Sequence, residues 1–399
     1  MRLALFSPLP PEASGIADYA DLFRNALVGH GVEVVAPVPG GQWPQHAHEL
    51  SRLADTMDLS GFDVAHFELG GGRIRPFLML RHLLARHKNT VFTATVHDPE
   101  RLAWRGWGLS RFERLPRCVQ QALTVVTDPL SVAREQQAAQ RLDAMVTLTH
   151  GGADALALRM RVPRGKIHVI PHGVSSAATR ALPSLQPVKV LFFGYVFPGK
   201  GIEGLLQVLV LLRERNAASF TDIRLTISGG SAPSMMLRRV GDYVGELRAE
   251  VQRLGLSEHV SFETDLAEAR IPELIQDHHV MVLPYEDSHK LSLLGRYLGS
   301  SGAAAWAIAS GRGLLVTDAR AMPEEVSAGN GAVFAQRQPA ALAELFERIV
   351  AERSLLSHWA RAAEQLAAER AWPRIAAHFI DVFNGAIAAR PSAPAARRA

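Results

Sequence analysis

The sequence predicts an α/β protein made of two parallel-sheet domains in succession, and three observations carry that expectation. The chain has 399 residues, too many for one ordinary core at ~100–200 residues per domain. Short apolar runs alternate with longer helix-like segments, the βαβ pattern of a parallel sheet. The pattern also lapses into a loose Ala/Ser/Pro/Thr stretch, Ser175 to Pro187, and then begins again, which marks an interdomain linker.

The first-half strand candidates are Arg2–Phe6, Val32–Ala36, Val64–Phe67, Thr90–Val96, Ala144–Leu148 and Ile167–Ile170, with helical stretches at Ile16–Val28 and Pro76–Lys88. After Pro171-His172-Gly173 and the linker, the second half offers strand Val188–Phe193, a Gly-rich loop and a helix from Ile202 to Arg215. Strand Ile223–Ser228 ends in Gly229-Gly230, followed by strands Val260–Phe262 and Val280–Leu283, helix Gly302–Ser310 and strand Gly313–Thr317. A long Ala- and Glu-rich helical region runs from Pro339 to Arg370. The domains are therefore expected at 1–178 and 188–371, with a helix over 372–389 and a disordered Ala/Pro/Arg tail over 390–399.

The single cysteine, Cys118, excludes an intramolecular disulfide and suits a reducing, cytoplasmic setting. No run approaches the ~20 apolar residues that span a bilayer, and Leu3–Phe6 reads as a buried strand rather than a signal segment. The formal charge is +4, and residues 1–180 carry 20 Lys and Arg against 16 Asp and Glu. Arg101–Arg117 holds five arginines, two tryptophans and one glutamate. Such a segment either meets the inner membrane surface or a phosphorylated acceptor, or is simply a solvated basic loop. Nucleic acid is not expected, because the charge is modest and no binding module accompanies it.

Ligands of open parallel sheets bind beyond the carboxyl ends of the strands, so the loops there are the candidate sites. In Ser7–Tyr19 a Pro-rich turn leads to Gly15, which opens a helix; close backbone approach to a diphosphate and a plain tight turn both account for it. Gly194-Tyr195-Val196-Phe197-Pro198-Gly199-Lys200-Gly201 nearly spells a phosphate-binding Gly-x4-Gly-Lys-[Ser/Thr] loop, but Gly201 lacks the hydroxyl that would bind magnesium. Lys200 is still well placed to neutralise a diphosphate. In Tyr297–Ala303, Ser300 or Ser301 can cap an Ala-rich helix whose N–H groups then form an anion site. His97-Asp98, after strand Thr90–Val96, is the best general-acid or polar contact in the first half. His66, Glu68 and His97 are weighed as a metal set and set aside, since no His-x3-His pair, carboxylate-rich motif or cysteines accompany them.

In order and spacing these pieces resemble the family 4 glycosyltransferases, whose two Rossmann-like domains face each other across a cleft in the GT-B fold. The resemblance spans nearly the whole chain. It includes Ser14-Gly15-Ile16-Ala17-Asp18-Tyr19, Thr95-Val96-His97-Asp98, Val169–Val174, Gly194–Gly201, Leu225–Gly230, Val260–Glu263, Ile271–Leu274, Val280–Pro284, Ala307–Gly311 and the Trp372 helix. It implies retaining transfer of a sugar from a nucleoside-diphosphate donor to a glycan, lipid-linked or small-molecule acceptor, with no cofactor or metal. Lys200, Gly15, Ser301 and Gly302 would bind the diphosphate. His97, with Asp98, would contact the transferred sugar, and Gly229, Glu263, Thr264 and Trp306 would line the base and ribose. The Trp372 helix would cross back to the first domain.

Four positions depart from the family pattern. Tyr195 replaces the arginine after the loop glycine, Leu298 and Trp306 replace its paired glutamates, and His172 replaces the linker asparagine. An indole cannot accept ribose hydroxyl hydrogen bonds. Tyr195, Glu286 or Arg296 are the candidate compensating contacts, with Lys290 beside them. Arg73, Arg105 and Arg111 mark the acceptor side, where peripheral contact with the membrane is also expected. The competing readings are a non-catalytic partner subunit and a sugar-nucleotide epimerase of the same fold.

Overall fold

The computed structural model describes residues 1–390 apart from 13, 41, 45, 71, 104–116, 176–178, 231–241 and 288–297. The chain forms two compact units. The described residues of Met1–Pro171, Ser288–Gly299 and Trp372–Ala399 make the first, and those of His172–Asp287 and Ser300–Ala371 the second.

The first unit runs β1 (Arg2–Phe6), α1 (Gly15–Gly29), β2 (Glu33–Val35), α2 (Ala47–Thr56), β3 (Val64–Leu69), α3 (Ile74–Arg86), β4 (Val91–Val96), α4 (Arg117–Arg141), β5 (Ala144–Thr147), α5 (His150–Met160) and β6 (Ile167–Val169). Its sheet is parallel throughout in the order β2-β1-β3-β4-β5-β6. Every residue of β3 and β4 is buried, as strands covered on both faces require. Helix α1 starts where the Ser14 hydroxyl accepts the Ala17 N–H at 3.2 Å. It then turns Tyr19, Phe23 and Leu27, spaced by four, towards the sheet.

The second unit runs β7 (Val188–Phe193), α6 (Ile202–Arg215), α7 (Ala217–Thr221), β8 (Ile223–Gly229), α8 (Tyr243–Arg253), β9 (Val260–Thr264), α9 (Ile271–Gln276), β10 (Val280–Leu283), α10 (Gly302–Ala309), β11 (Gly313–Thr317), β12 (Gly331–Phe334), α11 (Pro339–Ala351) and α12 (Ser354–Glu369). Its sheet is also parallel, in the order β12-β11-β10-β7-β8-β9. The single helical region expected over Pro339–Arg370 is two helices. Arg353, at their junction, reaches the Leu185 carbonyl and the Asp222 carboxylate, and these anchors hold the chain where it turns.

Helix α13 (Trp372–Ala388) belongs to the first unit. Its Trp372, Phe379 and Phe383 join Leu3, Leu5, Tyr19, Phe23 and Leu27 in one buried cluster, with the Phe23 and Phe379 ring centroids 4.5 Å apart. At its end Arg390 pairs with Asp143 at 2.8 Å. The tail expected over 390–399 lies, beyond Arg390, outside the described residues.

Each sheet reverses its winding once, between β1 and β3 in the first unit and between β7 and β10 in the second. Loops leaving the carboxyl ends on either side of such a reversal splay apart and leave a crevice for a ligand. The β1–α1, β3–α3 and β7–α6 loops and the segment after β10 all emerge at these points.

Candidate active site

In the second unit the crevice is organised by Tyr285, just after β10. This buried ring is 4 % exposed, and the Thr317 hydroxyl at the end of β11 donates to its carbonyl at 2.6 Å. The Lys200 ammonium lies over the ring at 4.2 Å from its centroid, and 5.2 Å from that of Phe197. The Arg320 guanidinium lies over the same ring at 5.3 Å. The Tyr285 hydroxyl is 3.4 Å from the Ser301 hydroxyl. One aromatic side chain therefore links the β7–α6 loop, the β11 loop and the start of α10.

Lys200 forms no ion pair among the described residues. Its neighbour Gly201 is the residue before α6, with φ +77°, and a Cβ there would sit 1.9 Å from the Pro284 carbonyl oxygen. Only glycine fits, so the serine or threonine of a magnesium-binding phosphate loop has no place here.

Ser301 occupies the cap position of α10, yet no side chain caps that helix. The expectation of a serine cap is corrected: the Ser300 hydroxyl donates to Glu325, whose other oxygen accepts from Arg370 at 2.6 Å. The first-turn N–H groups of α10 thus receive no side-chain cap, and such groups are able to bind an anion. A Cβ added to Gly302 meets nothing within 4 Å, so that end of the helix is open.

Among the base and ribose candidates, Gly229 ends β8 against the Gly194 backbone, and Glu263 and Thr264 close β9 beside it. Trp306 is half-buried against the core that contains Leu283, Tyr285 and Ile308. Tyr195 is 38 % exposed. Glu286 is held by Arg337 at 2.9 Å. Arg296 and Lys290 lie outside the described residues.

In the first unit His97 leaves the end of β4, and its Nε2 donates to the buried Glu68 carboxylate at 2.7 Å. An ionised carboxylate only accepts, which fixes the proton on Nε2 and leaves Nδ1 as the acceptor in the neutral ring. The other Glu68 oxygen faces His66 Nε2 at 3.2 Å, and His66 Nδ1 contacts the Thr93 hydroxyl at 2.8 Å. Burial alone would raise the Glu68 pKa, but hydrogen bonds from His66 and His97 and their charges bring it down to about 2. Tyr19 packs edge-on to the His97 ring at 4.7 Å. Asp98 is half-buried beside it, its carboxylate near Gly70 and Gly299. Gly299 is fixed by contact, since a Cβ there would lie 2.2 Å from the His97 carbonyl oxygen, and the adjacent Leu298 carbonyl accepts from the Thr149 hydroxyl at 2.9 Å. The chain passes directly from this anchor into Ser300 and Ser301.

Gly15 opens α1 with room around it. Arg73 pairs with Glu12 of the β1–α1 loop, Nε to carboxylate at 2.8 Å, across the β1/β3 reversal. Arg101, counted in the basic segment, is buried and paired with Asp128 and Glu135. Arg105 and Arg111 lie outside the described residues.

Comparison with known proteins follows the same division. Residues 180–366 match the model of the glycosyl transferases group 1, and residues 5–177 match glycosyltransferase family 4. The chain belongs to the GT-B glycosyltransferases. Solved structures share its fold at low identity. Sucrose-phosphate synthase from Thermosynechococcus elongatus has a TM-score of 0.67 at 18 % identity, covering 98 % of this chain and 100 % of that one. Anabaena HepE in complex with UDP has a TM-score of 0.63 at 15 % identity, covering 96 % and 100 %. An Escherichia coli structure described as trehalose-6-phosphate bound with UDP-2-fluoro glucose has a TM-score of 0.64 at 12 % identity, covering 96 % and 99 %. No curated protein sequence matches the chain.

In this glycosyltransferase, Lys200 and Ser301 come together around the Tyr285 side chain, Gly302 follows Ser301 at the start of α10, and His97 acquires a buried partner. Sequence reasoning missed Tyr285 and Arg320 as parts of the constellation. The only local signal was Pro284-Tyr285 at the end of the apolar run Val280–Leu283. No helix among the described residues is long and apolar enough to cross a membrane.

Proposed function

We propose that the enzyme transfers a hexose or related sugar from a nucleoside-diphosphate donor to a glycan, lipid-linked or small-molecule acceptor, with retention of anomeric configuration, as expected of family 4. The observation that carries this reading is Lys200, without an ion pair among the described residues, beside the uncapped start of α10 at the β7/β10 reversal. As the bond from the anomeric carbon to the diphosphate breaks, its electron pair moves to the diphosphate. The ammonium and the helix N–H groups stabilise that charge without rearranging. His97, its Nε2–H committed to Glu68, offers Nδ1 to a hydroxyl of the transferred sugar. The charge is met by protein groups, so activity is expected to survive EDTA. A cytoplasmic enzyme acting at the inner membrane face agrees with one cysteine and a basic first half.

Calorimetry with UDP-, GDP-, ADP- and dTDP-sugars tests the donor. One of them binds, and Lys200→Ala weakens it by roughly 10–100-fold, the loss of a charge-assisted contact. Product NMR then tests stereochemistry, and an inverted linkage removes the retaining assignment. Trp306, packed where the family pattern has a carboxylate, favours the second reading, a partner subunit without donor chemistry. Failure of every nucleotide sugar to bind would select it.

A further inference from the structure

A departing diphosphate carries more charge than one lysine balances, and Tyr195 occupies the position where the family resemblance calls for an arginine. Arg320 supplies a cation from another part of the fold. It lies in the loop beyond β11, at the same sheet edge as Lys200, and its guanidinium sits over the Tyr285 ring that also carries Lys200. Both distances fall within the range at which a cation is held by an aromatic face.

Several carboxylates of the adjoining segments have partners of their own. Glu286 pairs with Arg337, Glu325 with Ser300 and Arg370, and Asp318 accepts the Gln336 N–H at 2.9 Å. Arg320 forms no ion pair among the described residues. Its backbone is left-handed, φ +56°, a conformation unfavourable for a side-chain-bearing residue. Glycine would remove that cost, and the arginine is held there in spite of it. Strain of this kind collects at ligand sites.

We infer that Arg320 is the second diphosphate-binding cation of this site, with the Tyr285 ring supporting both it and Lys200. The inference rests on the proposed nucleotide-sugar donor, and inorganic pyrophosphate separates the two. The test variant is Arg320→Gly, which deletes the guanidinium and suits the left-handed backbone, so its melting temperature should not fall. Pyrophosphate, UDP, GDP, ADP and the parent nucleosides are titrated into the wild type, Arg320→Gly, Arg320→Lys and Lys200→Ala.

The expected result is at least a tenfold loss of affinity in Arg320→Gly for pyrophosphate and for the diphosphate that binds. Nucleoside affinity should stay unchanged, and Arg320→Lys should recover part of the loss. Wild-type affinity in Arg320→Gly, with loss confined to Lys200→Ala, overturns the inference and leaves the donor reading standing. Arg320-dependent pyrophosphate binding without binding of any nucleotide upholds the anion site and overturns the donor reading. Absence of both kinds of binding from the wild type overturns both.

Discussion

Glu68 is a carboxylate inside a sheet, kept ionised by two imidazoles. Its pKa near 2 lies below the ~4.3 of an unfolded glutamate. The unfolded chain therefore takes up its proton first as pH falls. The stability linked to Glu68 is fully present above about pH 4.3 and is lost as the pH drops towards 2. Thermal melting of the wild type should show this loss, and Glu68→Gln should flatten that part of the profile. The same variant removes the acceptor that fixes His97, so kcat should fall by roughly 10²-fold with little change in donor affinity. Equal losses in kcat and donor affinity would count against a positioning role. Polar residues in an apolar strand were visible in the sequence. Their convergence was not, because it depends on register: His66 lies opposite Thr93 and Glu68 opposite Thr95, which puts all four on one face.

Individual elements were legible where chemistry is local. Most strands were found within two residues of their ends because buried parallel strands are apolar runs, and the β7–α6 loop was found by its glycines. Helix α4 was not anticipated: its Thr124–Thr127 run is β-branched and Pro129 lies inside it, both signals against a helix. Strand β12, Gly331–Phe334 at the sheet edge, starts with Gly-Ala, is only partly buried and so lacks the apolar run that marked the other strands. The loop into α10 gives a paired test. Gly299→Ala drives a Cβ into the His97 carbonyl and should cost more than about 1 kcal/mol, lowering the melting temperature and kcat together. Gly302→Ala, with open space around it, should be neutral or stabilising by up to about 1 kcal/mol. Similar melting temperatures for the two would contradict the contact at Gly299.

On the scale of the whole molecule, the two sheets were foreseen from the repeated strand–helix alternation. Helix α13 packs in the first unit, and its apolar spacing alone does not name that partner. Phe379→Ala removes a fully buried ring between Phe23 and Phe383, at a cost of about 3–5 kcal/mol. In calorimetry the first unit should melt earlier while the second keeps its transition; an unshifted first transition would refute the role given to α13.

That helix also sets a timetable for synthesis. At about 5–20 residues per second, a ribosome needs roughly 10 to 40 s to move from Pro171 to the end of α13. Throughout that interval the newborn first half exposes the Tyr19–Phe23–Leu27 face that Trp372, Phe379 and Phe383 later cover. The second unit can close its own sheet in the meantime. The half that emerges first is thus completed only after the second unit has been made, and its apolar face stays uncovered until α13 has emerged.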